Sequence, residues 1–333
     1  MRILFAGTPE VAVAPLRTLC ESHNVVAVLT RPDAIRSRGR KLTPSPVKEA
    51  ALDLQLPVWE DNPNSPEFLE KVKKEHIDLA IVVAYGRLLR QPILDAIPYG
   101  WYNLHFSLLP TWRGAAPVQR TIWANDPKTG VSIFQLTAGM DEGPLLLQKE
   151  VTISNRPNTE ELMMQLSACG AQLLVQAVDQ IETNQYTLYE QDDIESVPQD
   201  HRRAEKITAE DAHADFTLPA SILDGHIRAC NPDPGAWCTL HTDTKEPYLL
   251  HLNDIDLTPW DDPAFQTAYT TVQNPQCGSL IVSKKHVWVL CGGEQAIPFT
   301  VLELRQVTAQ GKKKMTAADW ARGARLGNQA YCD

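Results

Sequence analysis

Asn103 and His105 stand at alternate positions of an apolar stretch, Trp101-Tyr102-Asn103-Leu104-His105. Side chains of a strand alternate between faces, so this spacing aims an amide and an imidazole to the same side. At the carboxyl end of a strand in an open α/β sheet, the pair would meet the crevice where such sheets hold ligands. Further on, Asp141 lies in Gly139-Met140-Asp141-Glu142-Gly143, where flanking glycines let backbone approach a ligand closely. An amide, an imidazole and a carboxylate converging on a cleft suit proton abstraction combined with stabilisation of an oxyanion. A covalent nucleophile is missing, because Ser107 has no Gly-x-Ser-x-Gly elbow around it. Each residue also has a plainer reading: Asp141 as a turn former, Asn103 and His105 as satisfied polar groups at a strand end.

The elements that must carry these residues are readable from periodicity. Arg2 to Gly7 predicts a first strand, with Thr8 as the N-cap of the next helix and Pro9 at its first position. Pro15 starts or kinks that helix. Gly7 stands alone where a dinucleotide site needs Gly-x-Gly-x-x-Gly, which weakens a nicotinamide-cofactor reading. Asn24 to Thr30 and Ile77 to Ala84 are continuous apolar runs of the kind found in parallel sheets buried on both faces. Val47 to Leu54 and Ala115 to Asn125 read as helices, Gly130 to Thr137 and Leu145 to Ile153 as strands. Leu162, Leu166, Cys169, Leu173, Ala177 and Ile181 share one face of a long amphipathic helix, with Met163 and Met164 read as core.

From Thr183 to Arg203 the sequence is polar and aperiodic, as in a linker. Lys206 to Asp211 predicts a capped helix and Leu218 to Cys230 another, stopped at Asn231-Pro232. Short strands with turns follow at Ala236 to His241, Tyr248 to Ile255, Ser279 to Val282, Val287 to Leu290 and Phe299 to Val307. Their spacing suggests a small β-barrel.

At 333 residues the chain is long for one core and predicts two domains. No apolar run reaches the eighteen or so residues of a membrane span, and the apolar start is too short for a secretory signal. Seven dispersed cysteines without a Cys-x-x-Cys pair fit reduced thiols in the cytoplasm rather than disulfides or a zinc site, and no metal is expected. A formal charge of −10 argues against a general nucleic-acid binder. Its distribution matters more. Arg31, Arg36, Arg38, Arg40 and Lys41 crowd a Pro- and Gly-rich segment whose one carboxylate is Asp33, and Lys312, Lys313 and Lys314 form a second patch. Such patches are either solvated surface or a grip on a phosphate backbone.

The run Asn-x-His-x-Ser-Leu-Leu-Pro from Asn103 to Pro110, followed by the Gly-x-Asp-x-Gly turn at Asp141, resembles the folate-dependent formyltransferase family. Trp112-Arg113-Gly114-Ala115-Ala116-Pro117-Val118-Gln119-Arg120 narrows the resemblance to the branch that formylates methionyl-tRNA. It extends from Gly7-Thr8-Pro9-Glu10 to Gly311-Lys312-Lys313-Lys314-Met315. The resemblance implies a Rossmann-like, doubly wound, mostly parallel catalytic domain over 1–185 with a basic inserted loop at 31–48. A linker at 186–204 and an OB-like tRNA-binding barrel over 205–333 would follow. It further implies 10-formyltetrahydrofolate as formyl donor and initiator methionyl-tRNA as acceptor. By the same resemblance Ser107, Leu108, Leu109 and Pro110, with Gly86 and Leu88, contact the folate. Arg36, Arg38, Arg40, Lys41, Lys206 and Lys312 to Lys314 contact the tRNA. Two positions depart from the family pattern: Phe106 replaces a small residue, and Arg203 stands where an aromatic is expected.

In this reading Asn103 and His105 donate to the oxyanion, and Asp141 either orients His105 or takes the amine proton. Three alternatives remain open from sequence: another amine as acceptor, water as acceptor, or an RNA-binding protein built on a retired enzyme domain. A monomer is expected.

Overall fold

A computed structural model of the chain describes every residue except 36–41, 194–201, 244, 271, 295–296, 325 and 327–328. Two compact units emerge, each discontinuous in sequence. The first comprises Met1–Pro117, Pro127–Ser154 and Glu161–Glu205; the second comprises Val118–Asp126, Asn155–Glu160 and Lys206–Asp333.

Strands of the first unit are β1 (Ile3–Gly7), β2 (Val25–Leu29), β3 (Ala34–Ile35), β4 (Leu42–Thr43), β5 (Val58–Trp59), β6 (Leu79–Val83), β7 (Trp101–His105), β8 (Arg113–Gly114), β9 (Lys128–Gln135), β10 (Leu145–Thr152) and β11 (Arg203–Ala204). Seven of them form one sheet in the order β10-β9-β7-β6-β1-β2-β5. The pairings from β7 across to β5 are parallel; those of β9 with β7 and with β10 are antiparallel. This is a Rossmann-like doubly wound sheet. Every residue of β1 and β6 is buried, as expected of strands covered on both faces.

Alternation decides where the chemistry-bearing residues of β7 point. Leu4, Ala6, Ala27, Leu29, Ala80 and Val82 share one buried cluster with Trp101, against Phe68 and Val72 of a helix at Pro66–Lys74. Asn103 and His105 continue the Trp101 side beyond that cluster, since Ala80 pairs with Trp101 and Val82 with Asn103. Leu104 faces the other way, toward Gly170 of the long helix Thr159–Glu182, where any β-carbon would crowd the leucine. The predicted apolar face of that helix is buried at Leu162, Leu166, Leu173, Ala177 and Ile181. Met164 is not core: it is 67% exposed, and Met163 is half-buried. Both flank the buried stripe, and flexible thioethers tolerate such a border.

Thr8 does not cap a helix either. Its hydroxyl donates to the carbonyl of Tyr85 at 3.0 Å, tying the end of β1 to the end of β6, while the helix starts at Val13 with Pro15 in its first turn. Between β2 and the helix Pro46–Asp53, β3 and β4 pair as a two-rung antiparallel ladder. The ladder's ends are held at Thr30 and Ser45, whose hydroxyls hydrogen-bond at 2.7 Å. Ser45 also caps that helix by accepting from the Lys48 amide at 2.9 Å, with Pro46 at the first helical position. Lys48 pairs in turn with Asp33 at 2.7 Å and Glu60 at 2.9 Å.

The second unit is an antiparallel sheet with strands β12 (Trp237–Thr242), β13 (Lys245–Thr258), β14 (Leu280–Val282), β15 (Val287–Cys291), β16 (Thr300–Ala309), β17 (Met315–Thr316) and β18 (Tyr331–Cys332). It runs β14-β15-β16-β13-β12-β18, with β17 on β16. Its ends curl together: Leu280 N–H donates to Ala330 and Cys332 N–H to Gly278, giving an OB-like near-barrel. A helix at Ala220–Cys230 packs against β13 and β16, and its Asp224 takes ion pairs from Arg156 and Arg228. The helix expected at Lys206 to Asp211 is absent. Asp211 instead accepts from the amide and hydroxyl of Thr208, both at 2.8 Å, closing a turn that competes with helix formation. Two further helices, Pro263–Tyr269 and Ala317–Ala324, lie between strands. Among the described residues no helix is long and apolar enough to cross a membrane.

Candidate active site

The carboxyl ends of β6 and β7 open into a cavity of about 590 Å³ within the first unit. Asn103, His105 and Asp141 all line it. Asn103 is half-buried, and among the described residues its amide has no hydrogen-bond partner, so its donors remain available to a ligand. His105 is 5% exposed and stands edge-on to Phe134, with 6.4 Å between ring centres. Its Nε2 lies 3.0 Å from the carbonyl of Trp112. A carbonyl only accepts, so Nε2 carries the proton in that bond, and Nδ1 is the nitrogen left to work in the cavity. Nδ1 faces Oδ2 of Asp141 across 3.8 Å.

Asp141 adopts a left-handed backbone, φ 57°, at a cost tolerated best by Asp and Asn among residues with a β-carbon. The conformation is held from two sides. Its Oδ2 accepts from the Gly114 amide at 2.9 Å. Its own carbonyl accepts from Nε2 of Gln191 at 2.8 Å, and Gln191 donates equally to the carbonyl of Gly143. Gln191 is buried, and its Oε1 receives Arg113 Nε at 2.9 Å and Nη2 at 2.7 Å.

Residues Trp112 to Gly114 therefore touch His105, Asp141 and Gln191, and they are themselves braced. β8 pairs in parallel with β11, Trp112 N–H donates to Arg202, and the Arg202 guanidinium lies 4.3 Å above the Trp112 ring. Gly114, at φ 132°, passes so close that a β-carbon there would come within 2.6 Å of the Ala204 carbonyl. Arg203, the departure noted in the sequence, leaves this pairing in place and sends its guanidinium toward Glu142 at 3.8 Å.

The opposite wall is Ala84 to Leu89. Tyr85 is buried, and burial pushes its phenol up from the ordinary tyrosine range. Gly86 and Leu88 line the cavity, and Leu88 presents an exposed apolar surface at the mouth together with Met140. Phe106 lines it too, filling one wall. Ser107, Leu108, Leu109 and Pro110 are not brought to the cavity. Ser107 donates to the Thr111 carbonyl at 2.6 Å, and Leu109 packs with Phe134 and Leu145 while its amide donates to Ser132 Oγ at 3.1 Å. The turn is buried at Leu109 because that residue has a core to enter. Arg36, Arg38, Arg40 and Lys41 fall outside the described residues. Lys206 and Lys312 to Lys314 are exposed residues of the second unit. Among the described residues no cluster of His, Cys, Asp and Glu could hold a metal. Gln191 was hidden in sequence because it lies in the aperiodic stretch, and only its position in space gives it a partner set.

Residues 1–178 match the family described as Formyl transferase, and residues 206–325 match Formyl transferase, C-terminal domain. The chain is 49% identical to the methionyl-tRNA formyltransferase of Bifidobacterium animalis subsp. lactis over 100% of both chains. It is 42% identical to that of Streptomyces coelicolor over 98% of this chain and 97% of the relative. Among solved structures, the N-formyltransferase of Helicobacter canadensis in complex with folinic acid and dTDP-3-aminofucose superposes with a TM-score of 0.62. That match covers 91% of this chain and 99% of the other at 16% identity, a likeness of fold. Two matched domains and relatives aligned end to end leave one conclusion: the chain belongs to the formyl transferase family, among the methionyl-tRNA formyltransferases.

Proposed function

We propose that this chain transfers a formyl group from 10-formyltetrahydrofolate to the α-amino group of initiator methionyl-tRNA, in the cytoplasm and as a monomer. One observation carries the reading: Asn103, His105 and Asp141 line a single cavity in a chain aligned throughout with methionyl-tRNA formyltransferases. The neutral amine attacks the formyl carbon, forming the new C–N bond and an oxyanion. Asn103 donates to that oxygen. His105 works through Nδ1, donating to the oxyanion when the ring is doubly protonated and otherwise receiving the amine's proton. Asp141 holds His105 or takes the proton itself. Collapse of the oxyanion breaks the bond to the folate nitrogen, which leaves with a proton.

The folate lies against Gly86 and Leu88, while Ser107, Leu108, Leu109 and Pro110 act from beneath by holding the wall that carries Phe106. Arg36, Arg38, Arg40 and Lys41, with Lys206 and Lys312 to Lys314, grip tRNA phosphates, for which guanidinium forks are well shaped. An amino sugar or a small amine would use the same three residues but would leave these cations without a role.

The test is single-turnover formylation with 10-formyltetrahydrofolate and either initiator methionyl-tRNA, elongator methionyl-tRNA or free methionine. Rapid formylation of the initiator alone is the expected result. Loss of formyl without any tRNA product would overturn the choice of acceptor.

A further inference from the structure

We infer that Gln191 is a positioning residue for the transfer step and acts through Asp141, an inference that rests on the proposed formyl transfer. Its side chain is 2% exposed and its amide can lie only one way round. Arg113 offers donors alone, so the fork of its Nε and Nη2, at 2.9 and 2.7 Å, must meet the Gln191 oxygen. The amide nitrogen is thereby turned toward the carbonyls of Asp141 and Gly143, both at 2.8 Å, and spends one hydrogen on each. Those carbonyls flank the tightest point of the turn, where Asp141 is left-handed and Gly143 passes against the Gln135 carbonyl with no room for a β-carbon.

The contacts close into a ring. Starting at the Asp141 carboxylate, it runs to the Gly114 amide, along the backbone to Arg113, through the Arg113 side chain to Gln191, and back to the Asp141 carbonyl. Trp112, one residue earlier, holds Nε2 of His105. His105 and Asp141 are therefore referred to the same three residues, Trp112 to Gly114. Among the described residues, Gln191 is the link from outside them that fixes the carbonyl end of Asp141. Without its two donations the backbone can rotate, and the 3.8 Å spacing between Asp141 Oδ2 and His105 Nδ1 is no longer set. Displacements of about 1 Å at reacting groups cost about a hundredfold in rate.

Two variants test this. Gln191→Glu keeps a partner for Arg113 but replaces the donor to both carbonyls by an acceptor; Gln191→Ala removes both contacts. Each is expected to lower kcat about ten- to a hundredfold with the KM for the formyl donor within about threefold. Each is also expected to shift the ring-nitrogen NMR resonances of His105, a signal that needs no substrate. The decisive comparison is with Asp141→Asn: a residue acting through Asp141 leaves the double variant no slower than Asp141→Asn alone. Multiplying losses, or His105 resonances unmoved in both variants, would overturn the inference. Wild-type protein that formylates no methionyl-tRNA would instead overturn the acceptor, with the His105 resonances still deciding the role of Gln191.

Discussion

Oδ2 of Asp141 and Nδ1 of His105 face each other across 3.8 Å, too far for a direct hydrogen bond and near enough for one nitrogen to bridge them. An amine seated between the two groups would meet a proton acceptor on each side. That makes Asp141 the most informative single substitution. Asp141→Asn keeps an oxygen for the Gly114 amide and tolerates the left-handed backbone, so folding and tRNA affinity are expected to persist. Turnover is expected to fall by about 10² to 10⁴, the usual range for positioned proton transfer. Single-turnover rates beside a melting curve decide it; wild-type turnover would remove Asp141 from the mechanism.

Asn103→Ala separates catalysis from stability. The amide is half-buried and has no partner among the described residues, so its removal leaves no buried group unsatisfied. The melting temperature is expected to hold while kcat falls about a hundred- to a thousandfold, the loss typical of one oxyanion donor. A variant that melts early but turns over normally would assign Asn103 to the fold.

The proposed tRNA contacts are testable through salt. Replacing Arg38, Arg40 and Lys41 by Ala is expected to weaken binding and flatten the plot of log affinity against log salt, by up to about one unit per lost phosphate contact. Replacing Lys312 to Lys314 should act in the same direction. A slope unaltered by either set would mean those cations are surface only.

Burial pushes the Cys230 thiol up to about 12, and Cys291 higher still. A thiol whose folded value is raised contributes stability below the unfolded value, about 8.5, and loses it as pH rises through the folded value. Denaturant midpoints of the protein are therefore expected to decline between about pH 8.5 and 12. Cys230 is expected to resist alkylation at pH 8 until the protein unfolds. Rapid labelling of native Cys230 would contradict its burial.

Much of the first unit could be read from its residues, because period-two alternation and continuous apolar runs are local signals. The strand ending in His105 and the stripe from Leu162 to Ile181 both stood where expected. What escaped was set by partners distant in sequence. Thr8 looked like a cap because Pro9 followed it, yet Tyr85 offers it a carbonyl. Ser107 to Pro110 were expected to contact the folate from the family resemblance, and here Phe134 and Leu145 give Leu109 a core. Lys206 to Asp211 lost its helix to a hydroxyl and a carboxylate three residues apart. Gln191 carried no local signal at all, and only the return of the chain to Arg113 makes it legible.

The hydroxyl pair Thr30 and Ser45, with Lys48 held between Asp33 and Glu60, ties the chain at both ends of residues 34–44 through groups that lie outside that stretch. Closure entropy is thereby settled at the base, and it grows only slowly with length. Swapping residues 34–44 for the counterpart of a relative, even one several residues longer, keeps Thr30, Asp33 and Ser45 and is expected to leave the melting behaviour of the parallel sheet untouched while any change in acceptor preference reports on the segment.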